Sequence, residues 1–137
     1  MGRKRAREAT MKLLYQMEMN SDYSDRIKEL FFENNSFSQS EKEYIEDAIN
    51  TIVDKLHELD KNIKEHTEKW NIHRLAKVDL CTLRIAIYEI LYRDDIPLEV
   101  SINEAIEIAK KYSTEESSRF INGVLGGFIR SIHENEQ

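Results

Sequence analysis

Proline is almost missing from this chain, which holds Pro97 and no other in 137 residues, and glycine is little commoner at four. With so few turn formers and 34% charged residues, rich in Glu and Lys, the composition argues for an all-α soluble protein. Neither an internal repeat nor a low-complexity tract is present. Cysteine is as scarce as proline. A lone Cys81 cannot close an internal disulfide, so a reducing, cytoplasmic setting is expected and the thiol is read as core packing. Histidine is sparse and scattered (His57, His66, His73, His133), with no His-x3-His pair, which gives no pattern for a metal or thiol site. A glycine-rich phosphate loop is missing too, because Gly123, Gly126 and Gly127 fall late in a helical pattern. No apolar run approaches the roughly 18 residues of a membrane span, and MKLLYQMEM is too broken by Lys, Gln and Glu for a signal core. The expectation is a protein with no enzyme site, no cofactor and no membrane segment.

What the chain does have is one stretch hydrophobic on nearly every side. Over residues 78–92, VDLCTLRIAIYEILY, only Asp79, Thr82, Glu89 and Arg93 form a polar line, spaced by three or four residues as a helix requires. Such a helix belongs at the centre of a fold. Arg84 stands on its apolar side and needs a carboxylate, since an unpaired buried charge costs several kcal/mol. One domain is expected, with an N-terminal lobe over about 1–69 and a C-terminal lobe over about 70–137.

Charge is divided unevenly along the chain. Arg3, Lys4, Arg5, Arg7 and Lys12 against Glu8 give the first twelve residues a local +4, so a total of -6 leaves -10 for the rest. An acidic body repels polyanions, and nucleic-acid contact would have to be local to the basic arm. A merely solvated terminus would carry the same charge. Cations at a helix N-terminus also oppose the helix dipole, so their presence there calls for a reason other than local stability. Phosphate contact is one.

Periodicity then places the remaining helices. Residues 3–20 bury Ala6, Ala9, Thr10, Leu13, Leu14 and Met17, while Met11, Tyr15 and Met19 recur every four residues as a second apolar line, read either as packing on two sides or as a docking strip. A short helix over 26–33 turns Ile27, Leu30 and Phe31 inward. Ser38 and Glu41 have capping-box spacing at the start of a helix expected to run unbroken for some seven turns, with its apolar positions from Tyr44 to Ile63. Trp70 is expected at the lobe junction, in or beside a connector over 71–77. Ser101 and Glu104 repeat the capping-box spacing, with Ile102, Ala105, Ile106, Ala109 and Tyr112 inward and Glu107 set to pair with Lys110 or Lys111. The last helix buries Phe120, Ile121, Val124, Leu125, Phe128, Ile129 and Ile132. Its glycines each cost about 1 kcal/mol relative to alanine. Close helix crossing would account for them, as would close approach of a ligand, for which Arg119, Phe120 and Asn122 supply a charge, a stacking ring and an amide.

Four segments in order, RKRAREATMKLLYQME at 3–18, VDLCTLRIAIYE at 78–89, IPLEVSINEAIEIAKKY at 96–112 and RFINGVL at 119–125, resemble the NusB family of bacterial transcription antitermination factors. The resemblance covers nearly the whole chain. It implies about seven helices in two small three-helix bundles packed across each other around the buried central helix. It also implies a factor that joins NusE, a small-subunit ribosomal protein, to bind the boxA element of nascent ribosomal RNA leader transcripts within the RNA polymerase antitermination complex. By position it assigns Arg3, Lys4, Arg5 and Arg7 to RNA, with Lys12 beside them, and Arg119, Phe120 and Asn122 to a second RNA-facing element. Tyr15, Met19 and Asp79 match the NusE-facing side, and Met11 and Glu18 join them there. The chain departs from the family's pattern at Leu80 and Cys81, where Arg-Ala is frequent, and at Gly126, where many members are acidic; contacts at positions 80 and 126 are not carried over. A helical protein-interaction module with an incidental arm is the alternative, and homodimerisation through the Met/Tyr line stays open.

Overall fold

The structure is a computed structural model that describes residues 2–67 and 75–136. Trp70, His73 and most of the expected connector lie outside the described residues. Seven helices are present among them: α1 (Gly2–Met19), α2 (Asp25–Asn34), α3 (Gln39–Asp54), α4 (Leu56–Glu65), α5 (Lys77–Tyr92), α6 (Leu98–Tyr112) and α7 (Glu115–Glu136). The most apolar segment takes the centre. Every residue from Asp79 to Glu89 of α5 is buried, and the helix packs against α1, α3 and α4 on one side and α6 and α7 on the other. α1 lies on α3 with α2 beside it, and α6 lies on α7. Large side chains such as Leu83, Ile87 and Tyr88 are fully enclosed, each contributing about 1.5–3 kcal/mol by leaving water.

Asp79, Thr82 and Glu89 of the polar line are buried along with Arg84, while Arg93 just beyond the helix is half-buried, so the enclosed charged groups have to be met by partners. The Arg84 guanidinium forks onto Asp60 of α4, Nε to Oδ1 and Nη2 to Oδ2, both 2.8 Å, and its Nη1 donates to Glu18 at 2.8 Å and Tyr23 at 3.1 Å. Burial works to lower its pKa, but these partners outweigh it and hold the group firmly protonated. The expected ion pair exists, and it ties α5 to α4 and α1. Glu89 gathers a second cluster. Arg7 donates to it through Nε at 2.7 Å and Nη2 at 3.2 Å, Ser101 Oγ donates at 2.7 Å, and the Tyr44 hydroxyl donates as well. One carboxylate thereby joins α1, α3, α5 and α6.

Two expectations fail because of this cluster. Arg7 is only 5% exposed and belongs to the interior, where Nη1 also reaches Glu104 at 3.4 Å, so it does not extend into solvent with the arm. Ser101 and Glu104 do not form a capping box: α6 begins at Leu98 after Pro97, and both side chains turn to the buried ion cluster instead. The box at Ser38 does form, with Glu41 N–H on Ser38 Oγ at 3.2 Å and Ser38 N–H on Glu41 Oε1 at 2.8 Å.

Other differences have local causes. The helix expected to run unbroken to Ile63 is interrupted at Lys55 (φ -105°, ψ 19°), separating α3 from an α4 that packs Leu59 and Ile63 against α5 and α7 and brings Asp60 to Arg84. A one-residue interruption barely disturbs hydrophobic spacing and so leaves no mark in the pattern. Leu30, expected inward, is 42% exposed, and Phe31 is the buried residue of α2. Lys111 pairs with Glu8 of α1 at 2.9 Å and not with Glu107.

Two measurements check this core. Arg7→Met should lower stability to urea by about 3–5 kcal/mol by stranding Glu89, whereas Arg3→Ala and Lys4→Ala should each change it by less than about 0.5 kcal/mol. Burial pushes the Cys81 thiol up to about 12, so the native protein should leave a thiol reagent at pH ~8 unreacted and consume one equivalent after unfolding.

Candidate nucleic-acid interface

The basic arm is the first turn and a half of α1, with no acidic residue in its first turn. Helical geometry fans its cations outward while Ala6 and Arg7 face inward. Arg3 lies 5.0 Å over the Tyr44 ring, and Arg5 lies 4.6 Å over Phe37 while its Nη1 and Nη2 hold Glu41 and the Ser36 carbonyl, both at 2.9 Å. Arg3, Lys4, Arg5 and Lys12 all remain exposed.

Lys12 leads from the arm to α6. Its ammonium sits 5.4 Å over the Tyr112 ring, and Lys111 sits 5.3 Å from the same ring. Glu8 anchors both neighbours, accepting from Tyr112 at 2.6 Å and Lys111 at 2.9 Å. Burial pushes the Glu8 carboxyl up, but hydrogen bonds from Tyr112 and Lys111 overcome that and hold it below its ordinary value. From the end of α6, Ser113 donates to Ser117 at 2.8 Å, and Ser117 donates to Asp79 Oδ2 at 2.9 Å. Ser117 lies one turn before Phe120. Phe120, Asp79, Ser117, Thr114, Leu75, Ala76 and Glu116 line a cleft of about 220 Å³. Asp79 Oδ1 is buried there without a hydrogen-bond donor among the described residues. Arg119 and Asn122 are exposed beside half-buried Phe120.

Of the two explanations, close crossing finds support at Gly127, whereas the atom nearest Gly126 belongs to its own helix. A Cβ at Gly127 would come within 3.3 Å of His66 Cδ2, a close approach to α4's end, and one at Gly126 within 3.4 Å of Arg130. Gly123 has nothing within 4 Å and is exposed, so helix crossing does not account for it.

The apolar line on α1 also divides. Tyr15 and Met19 are 37% and 55% exposed, but Met11 is only 3% exposed and serves the core, so it presents no surface to a partner. α1 thus packs on two sides at Met11 and has a free strip only toward its C-terminus. Glu18 is taken up by Arg84, Tyr23 and, at 3.5 Å, Lys77; burial raises its carboxyl, but the Tyr23 and Arg84 bonds bring it below its ordinary value. Sequence reasoning placed Tyr112 on the inward stripe and Lys111 as a candidate partner of Glu107, and gave neither a role at this surface. The signal was the KKY run at 110–112, two cations next to an aromatic at a helix end. Among the described residues no group of three or more His, Cys, Asp or Glu could hold a metal ion, and no helix is long and apolar enough to cross a membrane.

Seven helices among the described residues, set around a buried central one, with cationic and aromatic groups running from α1 to α6 and α7, form a helical binding-factor architecture. The chain belongs to the NusB family, whose model matches residues 4–130. It is 47% identical over 125 residues to the transcription antitermination protein NusB of Ruminiclostridium cellulolyticum, covering 91% of this chain and 86% of that one. Among solved structures it resembles T. maritima NusB, with TM-score 0.85 and 38% identity over 95% of this chain and 92% of the other. It also resembles a chain in the crystal structure of the antitermination factors NusB and NusE in complex with double-stranded RNA, with TM-score 0.83 and 26% identity over 94% and 96% of the two chains.

Acid should expose the role of Glu8 and Glu18. Both carboxyls lie below their ordinary value of 4.5 in the folded state, so their contribution is complete above that value and is lost as pH falls through the folded one. Replacing both by Gln should flatten the decline in stability between about pH 5 and 3, as followed by urea denaturation at each pH.

Proposed function

We propose that this chain is a non-catalytic, cytoplasmic antitermination factor that binds single-stranded boxA RNA together with NusE, as part of the RNA polymerase antitermination complex. The observation that carries this is the connected run of groups from Arg3, Lys4 and Arg5 through Lys12, Tyr112 and Lys111 to the Phe120 cleft. Exposed cations would hold phosphates, and Phe120 with Asn122 and Arg119 would stack and hydrogen-bond unpaired bases. Membership of the NusB family supports it, as does the related complex that holds NusE and RNA. Arg7 acts from inside by fixing α1 in place. The remaining acidic surface would discourage indiscriminate RNA binding.

For NusE, the reading keeps Tyr15 and Met19 as the contact strip, with Asp79 at the edge of the neighbouring cleft. Homodimerisation through the same strip would compete with NusE. Alanine at Arg3, Lys4, Arg5 and Lys12 together should weaken boxA binding by tenfold or more, roughly, and flatten the dependence of log K on log salt by about 3, while circular dichroism stays unchanged. Unaltered binding would reject the arm as the RNA site. Tyr15→Ala with Met19→Ala should weaken NusE capture by about tenfold and leave the affinity for RNA alone as it was.

A further inference from the structure

The corner between α2 and α3 holds an arrangement that neither the arm's route to Phe120 nor the Tyr15 strip uses. Three phenylalanines meet there. Phe31 and Phe37 stack with centroids 5.8 Å apart and planes at 21°, and Phe32 stands edge-on to them at 6.1 and 6.0 Å. Phe31 is buried, but Phe32 and Phe37 are only half-buried, and with Asn35, Ser36 and Lys42 they line a cavity of about 230 Å³. That is small beside an ordinary small-molecule site and suits one flat ring.

Cations frame this aromatic wall. Lys42 lies 5.5 Å over Phe32, is exposed, and forms no ion pair among the described residues. Arg5 lies 4.6 Å over Phe37 with its side chain still 51% exposed, although Glu41 and the Ser36 carbonyl fix its direction. Asn35 uses Nδ2 on the Phe31 carbonyl at 2.9 Å, which leaves its Oδ1, with the Ser36 hydroxyl, for the edge of a ligand. Exposed ring surface, a nearby amide and hydroxyl, and two cations are what an unpaired base and its phosphate require.

We propose that this pocket receives one unpaired base of RNA flanking the segment gripped by the arm, with Arg5 and Lys42 on the adjoining phosphates. The proposal rests on the RNA-binding reading above, because Arg5 belongs to both surfaces and makes them continuous. An acidic peptide would satisfy the cations but leave the half-exposed rings of Phe32 and Phe37 unused, so RNA is the better match.

The test compares boxA RNA with the same RNA carrying about six unpaired nucleotides at its 5′ or its 3′ end, by fluorescence anisotropy. One extension should tighten binding about 5-fold or more, the gain of a stacked base. Lys42→Glu and Phe32→Ser should each abolish that gain while binding the unextended RNA like the parent protein. Lys42→Glu changes an exposed position, so it keeps the test valid if Phe32→Ser unfolds. No gain from either extension, or a gain that survives Lys42→Glu, overturns the pocket assignment. If the unextended RNA binds and the extension adds nothing, the pocket alone falls; if neither RNA binds, both readings fall. Lys42-dependent binding of a polyglutamate peptide without any extension effect would assign the pocket to a protein and overturn the proposal.

Discussion

A single buried carboxylate, Glu89, sets the geometry on which the rest of the molecule depends. It accepts hydrogen bonds from Arg7, Tyr44 and Ser101, and so fixes α1, α3 and α6 on the central helix at one point. Hydrophobic packing alone would let these helices slide with little change in energy, since apolar contact has no direction. An ion cluster in the interior resists that, because losing Arg7 leaves the Glu89 carboxylate without its counter-charge and losing Tyr44 or Ser101 leaves it short of a hydrogen bond. The burial of Tyr44 and its closeness to the Glu89 carboxylate push its phenol well above its ordinary value, which keeps it a donor throughout the physiological range. Arg84 performs the same service from the middle of α5, joining α4 and the end of α1.

Most of the fold could be read from the chain, and what could not has a common origin. The burial of α5, the core positions of α1 and α7, the Ser38 cap and the need for an Arg84 partner all follow from residue periodicity or from a single local rule. Long-range polar pairing does not. Arg7 stands in a basic run and looks like its neighbours; only the arrival of Glu89 from 82 residues away turns it inward. Ser101 and Glu104 satisfy a cap pattern in sequence, but the start of α6 at Leu98 places them a turn inside the helix, facing that same cluster. Met11 shows the limit of a helical wheel, which identifies two apolar lines on α1 but not how far a neighbour extends along the second. At the candidate interface the arm and Phe120 were legible, whereas the part played by Lys12, Tyr112 and Lys111 in linking them required α1 and α6 to be seen together.

The surface follows a consistent division. Cations that would bind a ligand stay exposed and lie over rings (Arg3 on Tyr44, Lys12 on Tyr112, Lys42 on Phe32, and Arg5 on Phe37, which is also paired with Glu41), whereas those that hold the fold are buried against carboxylates. A ring orients a cation without neutralising it. An acidic partner orients it too, but cancels much of its long-range field. In a chain of net charge -6, keeping the positive groups on aromatic supports preserves a local attraction for polyanions that the total would hide.

The span between Arg7 and Glu89 also bears on how the molecule is made. During synthesis the N-terminal helices leave the ribosome long before α5, and Arg7 then has only water around it. Glu18 and Asp60 likewise wait for Arg84, which follows them by 66 and 24 residues. Both buried ion sites of the N-terminal helices therefore stay open until the central helix has emerged, and whatever packing those helices reach before then lacks its polar locks.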